Sequence, residues 1–382
     1  MKLSRQTAAA VLASALVLTA CTGDGATPQD TTSPSAASTT TEDQAATAGP
    51  DEDAATTSAA PEAAGSTAGP TDDAASSTAE MTTDPARAAM SVEDAEAVAS
   101  TVLDARLKAL QTNGKKAREA RRDAFGLAAR IAAAGADKTE KVFGRPAEAK
   151  DDQAATPNVL AISRADGELP VVLLVQTVRG KKTAPVLHLM TSSTGKAEDF
   201  RITWEARMLP GTELPVFDRR SVGSPVLRKG AGDLQASPRK SLSRLAASLT
   251  WPRQEDLADF RTNGYGPAVR RANNEQANAV ARQATMREKN RVRKDGTTTL
   301  VFEDGSAFVT GTIRRDTTFR VKNNSILNPP DSFRVFVDDG ELTDEAVLRT
   351  SVMVGLRVPA EDQSFKPEVI AVTEQLVDAW GS

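Results

Sequence analysis

Asn158-Val-Leu-Ala-Ile-Ser-Arg164, Pro170-Val-Val-Leu-Leu-Val-Gln-Thr-Val178, Ala184-Pro-Val-Leu-His-Leu-Met-Thr191 and Phe200-Arg-Ile-Thr-Trp-Glu-Ala-Arg-Met-Leu209 decide the fold class. Each is a short run of branched aliphatic and aromatic residues, and the first pair is separated by the turn residues Asp166-Gly167. They read as four successive strands. What precedes them is helical. Ser91-Val-Glu-Asp94 places a serine N-cap three residues before an acid, and Ala95, Ala99, Val102, Leu103, Leu107 and Leu110 recur at helical spacing up to a stop at Thr112-Asn113-Gly114. A basic run, Lys115–Arg122, leads into a second short helix over Asp123–Ile131. Two helices followed by a run of strands predict an α+β fold with an antiparallel sheet.

The order then repeats. After a Pro/Gly/Ser-rich connection over Val216–Gly232 comes a helix over Ser237–Leu249, ended by Trp251-Pro252. Tyr265-Gly-Pro-Ala-Val-Arg270 echoes Phe125-Gly-Leu-Ala-Ala-Arg130. A helix over Ala268–Arg287 and strands over Thr298–Glu303, Ala307–Arg314, Thr317–Val321, Ser332–Val337, Ala346–Val358 and Val369–Trp380 complete the pattern. The echo sits at the same place in two helix-then-strands blocks, which predicts tandem copies of one unit. The division expected is a first domain over 91–218, a connector with a helix over 219–250 and a second domain over 251–382.

The N-terminus sets the location. Lys2 and Arg5 precede an apolar run, Ala8–Ala20, of signal-peptide length and too short to span a bilayer. The run ends in Leu18-Thr19-Ala20-Cys21, which contains the only cysteine of the chain. This resembles the lipobox of exported bacterial lipoproteins. The resemblance implies removal of residues 1–20, a diacylglyceryl group on the Cys21 thiol and anchorage to the outer face of the cell membrane by acyl chains such as palmitate. Residues 21–90 are Ala, Thr, Ser, Pro, Gly and Asp, a composition that cannot bury a core and reads as a disordered tether. Its reach is about 45 Å, and its Ser/Thr/Pro content is that of glycosylated stalks as well as of plain spacers. Thr22–Met90 holds twelve acids and one base, so after Lys2 and Arg5 are also removed, residues 91–382 keep 44 bases against 39 acids. The acidic whole therefore conceals a mildly basic folded part, which reads as an ordinary solvated surface or as one suited to an anionic wall or lipid ligand.

Helices followed by a long curved antiparallel sheet resemble the cone-shaped nuclear transport factor 2-like fold. Two such units behind a lipobox and an acidic Thr/Ala tether resemble uncharacterised actinobacterial lipoproteins. The resemblance implies two tandem cone-like units, each with a concave pocket between helices and sheet.

Chemistry is sparse. His188 is the only histidine and Cys21 is committed to lipid, so no zinc set can be assembled. The hydrolase elbow, the Ser-x-x-Lys set characteristic of penicillin-recognising enzymes, the P-loop and the dinucleotide glycine signature are missing. No catalytic residue, metal or cofactor is assigned, and export with no aromatic interleaving of the basic runs argues against nucleic acid. Asp338-Asp339-Gly340-Glu341 reads as a solvated hairpin rather than a calcium loop. The candidate ligand residues are Arg130, Tyr265 and Arg270, with Trp204, Trp251 and Trp380 as core or interdomain anchors. The expectation is a non-catalytic binding or scaffolding component of the cell envelope, with the membrane and an envelope protein or anionic polymer as partners. The alternatives are a small-molecule or lipid carrier, and an enzyme using the cone pocket with His188 or a buried Asp.

Overall fold

In the computed structural model the described residues are 87–112, 114–144, 153–166, 168–180, 183–253, 259–261, 264–323, 325–337 and 341–382. The expected signal peptide, Cys21, the expected tether as far as residue 86 and Asp338-Asp339-Gly340 lie outside them. Helix α1 (Val92–Gln111) starts where its cap predicts, with the Ser91 hydroxyl accepting from the Asp94 amide at 3.0 Å. The basic run does not lead into a helix; it is one, α2 (Gly114–Ala124), and α3 (Leu127–Phe143) follows. Three helices thus replace the two expected. The break falls at Phe125-Gly126 because this backbone is used by the sheet: the Gly126 amide donates to the Ile202 carbonyl at 2.9 Å.

Strands β1 (Asn158–Ile162), β2 (Val171–Thr177), β3 (Val186–Ser192) and β4 (Arg201–Met208) form the expected antiparallel meander. After α4 (Pro238–Ser248) the chain continues through α5 (Tyr265–Val280), β5 (Ala284–Val292), β6 (Thr298–Val301), β7 (Ala307–Val321), α6 (Asp331–Arg334), β8 (Glu345–Val358) and β9 (Glu368–Gly381). Three expectations are corrected here. The helix that was to reach Arg287 stops at Val280, and Ala284 opens a strand whose inward residues alternate with charged outward ones. The two strands either side of Asp316 are one, β7. Ser332–Val337 is not a strand: Pro330 caps a single helical turn with Asp331 in it.

All strand pairs are antiparallel, in the order β1-β2-β3-β4-β9-β8-β7-β5 with β6 also on β7. The two blocks therefore share one open sheet rather than holding a sheet each, and the described residues form one unit. The junction is short, Arg207 opposite Val372 and Met208 opposite Ala371. Side-chain alternation assigns the layers. Leu173 and Val175 on β2 face α1–α3 with Val98, Val102 and Phe125. Val172 and Leu174, on the opposite face, join Trp204, Phe308, Met353 and Ile370 in a core between the two halves of the sheet. Val352, Val354 and Leu356 on β8 pack under α4 and α5 with Leu242, Leu245 and Val269. The order is helices, sheet half, sheet half, helices. Of the three tryptophans expected as core or interdomain anchors, Trp204 is in a core, Trp251 is half-buried, and Trp380 is 39% exposed and belongs to no core.

The connector is ordered and structural. Ser224 donates its amide to the Ile162 carbonyl, and the amides of Leu227 and Val301 close bonds with Thr299 and Pro225. It laces the β1 edge to β6.

Candidate functional site

The helix-covered side of each sheet half is where a cone pocket would lie, and buried paired side chains occupy it in both halves. In the first half His188 on β3 stands opposite Glu205 on β4, with Nδ1 3.2 Å from the Glu205 Oε2 and Nε2 2.9 Å from the Thr177 hydroxyl on β2. Arg106, from α1, donates through Nε to the same Glu205 oxygen at 2.8 Å. Hydroxyl, imidazole and carboxylate in line is the order of a hydrolase relay. The space beside it is about 10 Å³, room for about one water and not for a substrate. Burial alone would raise the Glu205 pKa, but the Arg106 guanidinium and the His188 hydrogen bond hold it far below the usual carboxylate range. The array joins α1 to three strands.

This lowered pKa carries a pH signature. A carboxylate whose folded pKa is depressed contributes stability in full above its unfolded value of about 4.3, and loses it as pH falls through that value and below. Melting temperature is expected to drop more steeply between pH 5 and pH 3 in the wild-type chain than in Glu205→Gln, which starts lower. Parallel slopes would show that Glu205 is not a stabilising anion.

In the second half the buried charge is Arg315 on β7. Its Nη1 donates to the Glu374 Oε2 at 2.6 Å, its Nε lies 3.4 Å from the Glu288 Oε1, and its Nη2 is 3.3 Å from the Tyr265 hydroxyl. Tyr265 donates in turn to the other Glu374 oxygen at 2.7 Å. Glu288 also accepts from Asn273, Asn290 and Thr317 at 3.1, 3.2 and 3.1 Å. Burial works against the Arg315 cation, yet Glu374 and Glu288 raise its pKa well above the ordinary value; burial and Glu374 likewise push the Tyr265 phenol up. Every member has a partner.

The structure does not bring the three sequence-derived candidates together. Tyr265 belongs to the Arg315 network. Arg270 donates through Nε and Nη2 to the Ser248 carbonyl at 3.2 and 2.9 Å, capping the end of α4. Arg130 is exposed on α3, in the other half. The residues that sequence reading missed are Arg106, Glu205, Asn273, Glu288, Arg315 and Glu374. Their signal was parity: Glu288 follows Ala284 and Met286 on the inward phase of β5, and Arg315 sits between Ile313 and Phe319 on that of β7.

A wide space lies outside these interiors. A cleft of about 1120 Å³ runs between the ends of β1–β3 and the connector, walled by Leu160, Gln176, Pro185, Leu214 and Val216. Phe217 fixes this wall from behind, its ring 4.4 Å from Phe302, while Val216 is 69% exposed. No group of three or more metal-ligating side chains is found among the described residues, and no helix among them is long and apolar enough to cross a membrane. No family model, curated protein or solved structure matches this chain.

Proposed function

We propose that the chain is an exported lipoprotein, held at the outer face of the cell membrane through Cys21, and that its folded part is a non-catalytic binding or scaffolding component of the envelope. Each block is read as one cone-type unit, the two fused edge to edge through β4 and β9. The observation that carries the functional reading is the occupation of the helix-covered side of both sheet halves by paired charges, beside an open cleft on the connector. A pocket enzyme needs room for substrate and a proton donor or acceptor near neutrality. The space beside His188 is instead about 10 Å³. The cleft favours a carrier as the second reading, since its volume is that of a small-molecule site.

Two readouts test the proposal. Cys21→Ser is expected to shift the protein from the detergent-soluble membrane fraction to the soluble fraction. A photocrosslinking residue at Val216 is expected to give a discrete protein adduct in intact cells. No adduct at Val216, together with a small molecule that co-purifies and is lost on denaturation, would replace the scaffold by the carrier. Unchanged fractionation of Cys21→Ser would remove the anchor.

A further inference from the structure

Strand β7 outruns the layer that covers it. On its outward phase Phe308 is sealed in the core between the sheet halves, whereas Arg314, Asp316 and Thr318 are half-exposed and Arg320 is open to solvent. Beside them the edge strand β5 shows Thr285, Arg287, Lys289 and Arg291 to solvent on the same face. Trp380 closes the far side, and with Arg287, Lys289, Arg291, Asp316 and Arg320 it lines a recess of about 340 Å³; Arg349 lies beside it, opposite Asp316.

The charges on this face do not balance. Six cations, Arg287, Lys289, Arg291, Arg314, Arg320 and Arg349, share it with three carboxylates, Asp316, Glu345 and Asp378. Asp316 is taken by Arg349 at 2.8 Å and Arg314 at 3.2 Å, and Glu345 by Arg320 at 3.3 Å. Arg287, Lys289 and Arg291 form no ion pair among the described residues.

Charged edge strands commonly guard a sheet against pairing with another chain. That explanation is insufficient here. The β5 edge is already occupied at Glu288, whose amide and carbonyl both bond the Trp251 backbone at 2.8 and 3.1 Å. Arg291 stands directly opposite Arg314, a like-charge pairing that costs stability unless an anion lies between. Trp380 keeps one ring face under the Arg349 guanidinium, 4.6 Å from its centroid, and remains 39% exposed.

We propose that this face binds a linear phosphodiester polymer of the cell envelope, laid along β5 with successive phosphates on Arg287, Lys289 and Arg291. Alternate residues of a strand recur about every 6.6–6.8 Å, a spacing suited to consecutive phosphates of an extended phosphodiester chain. Trp380 offers the intervening polyol or sugar an apolar surface. A recess lined by cations takes a chain, where a bilayer would need cations on a protruding surface. The proposal rests on the envelope reading for the source of the polymer, but its test does not.

The test measures binding of poly(glycerol phosphate) to the full chain at several salt concentrations. Wild-type affinity is expected to fall with salt at a log–log slope of about −2, from three phosphates at roughly −0.7 each. The triple variant R287A/K289A/R291A is expected to lose at least about thirtyfold in affinity and most of that slope, with its melting temperature unchanged. Arg118→Ala, on α2, is expected to bind as wild type. Equal binding by the triple variant, or binding of phosphatidylglycerol vesicles but not of the free polymer, or preference for single-stranded DNA, would overturn the proposal. Lost polymer binding with Cys21→Ser still released from the membrane would refute this site alone. The reverse would refute the anchor alone.

Discussion

Arg315→Ala is expected to destabilise the chain by about 3–5 kcal/mol, the range seen when one partner of a buried charge cluster is removed. The guanidinium is enclosed by Glu374, Glu288 and the Tyr265 hydroxyl, with the Glu374 and Glu288 side chains 7% and 3% exposed. Truncation leaves two carboxylates in the same apolar interior without a cation. The cost is desolvated charge, not lost packing, and a companion variant separates the two. Adding Glu288→Gln and Glu374→Gln to Arg315→Met removes the stranded charges and is expected to recover most of the loss. Arg315→Lys should fall between, since an ammonium cannot present three donors to three partners in one plane. Denaturant midpoints read all of these. Equal losses in the single and the triple variant would show that the network contributes only volume.

Trp204→Ala is expected to cost about 3–5 kcal/mol, the usual loss for a large buried aromatic. The ring is 1% exposed and meets Phe308 edge-on at 5.8 Å and 78°, so the contact joins β4 of one block to β7 of the other. Gly355 makes room for it: an added Cβ there would lie 2.8 Å from the Phe308 ring and 3.2 Å from Trp204. Trp204→Phe should cost far less than alanine. Among the described residues the indole Nε1 has no acceptor, and phenylalanine removes that unsatisfied donor while keeping a ring. Thermal melts of the two variants decide the matter, and comparable losses in both would show that ring volume is not what binds the blocks.

The sequence was most legible where one physical signal acted alone. The α1 cap, the strands around Val172, Leu189 and Trp204, and the helix after Ser237 follow from local chemistry and periodicity. It failed where two signals competed. Ala284–Val292 carries three cations, and its Ala, Met and Glu fill inward positions, so its alternation is masked by residues of good helix propensity. Ser332–Val337 has strand-like composition, but Pro330 before it fixes a helical turn. Sharing of one sheet was invisible because two residue pairs make the junction and neither has a local signature. The buried networks were legible in principle, as charges on the apolar phase of a strand. The aromatic-glycine-arginine echo marked helix starts instead: Gly126 caps α3 and Tyr265 opens α5.

Strand β9, which follows the other eight described strands in sequence, lies in the middle of the sheet between β4 and β8. Any process that delivers this polypeptide from its N-terminus, whether ribosomal synthesis or passage through a membrane pore, must release Glu368–Gly381 before β4 and β8 can close on their shared neighbour. Until then both strands present open hydrogen-bonding edges, the condition under which nascent sheets aggregate. The sheet therefore cannot close before Glu368–Gly381 is available, and β4 and β8 depend on protection of their edges until then.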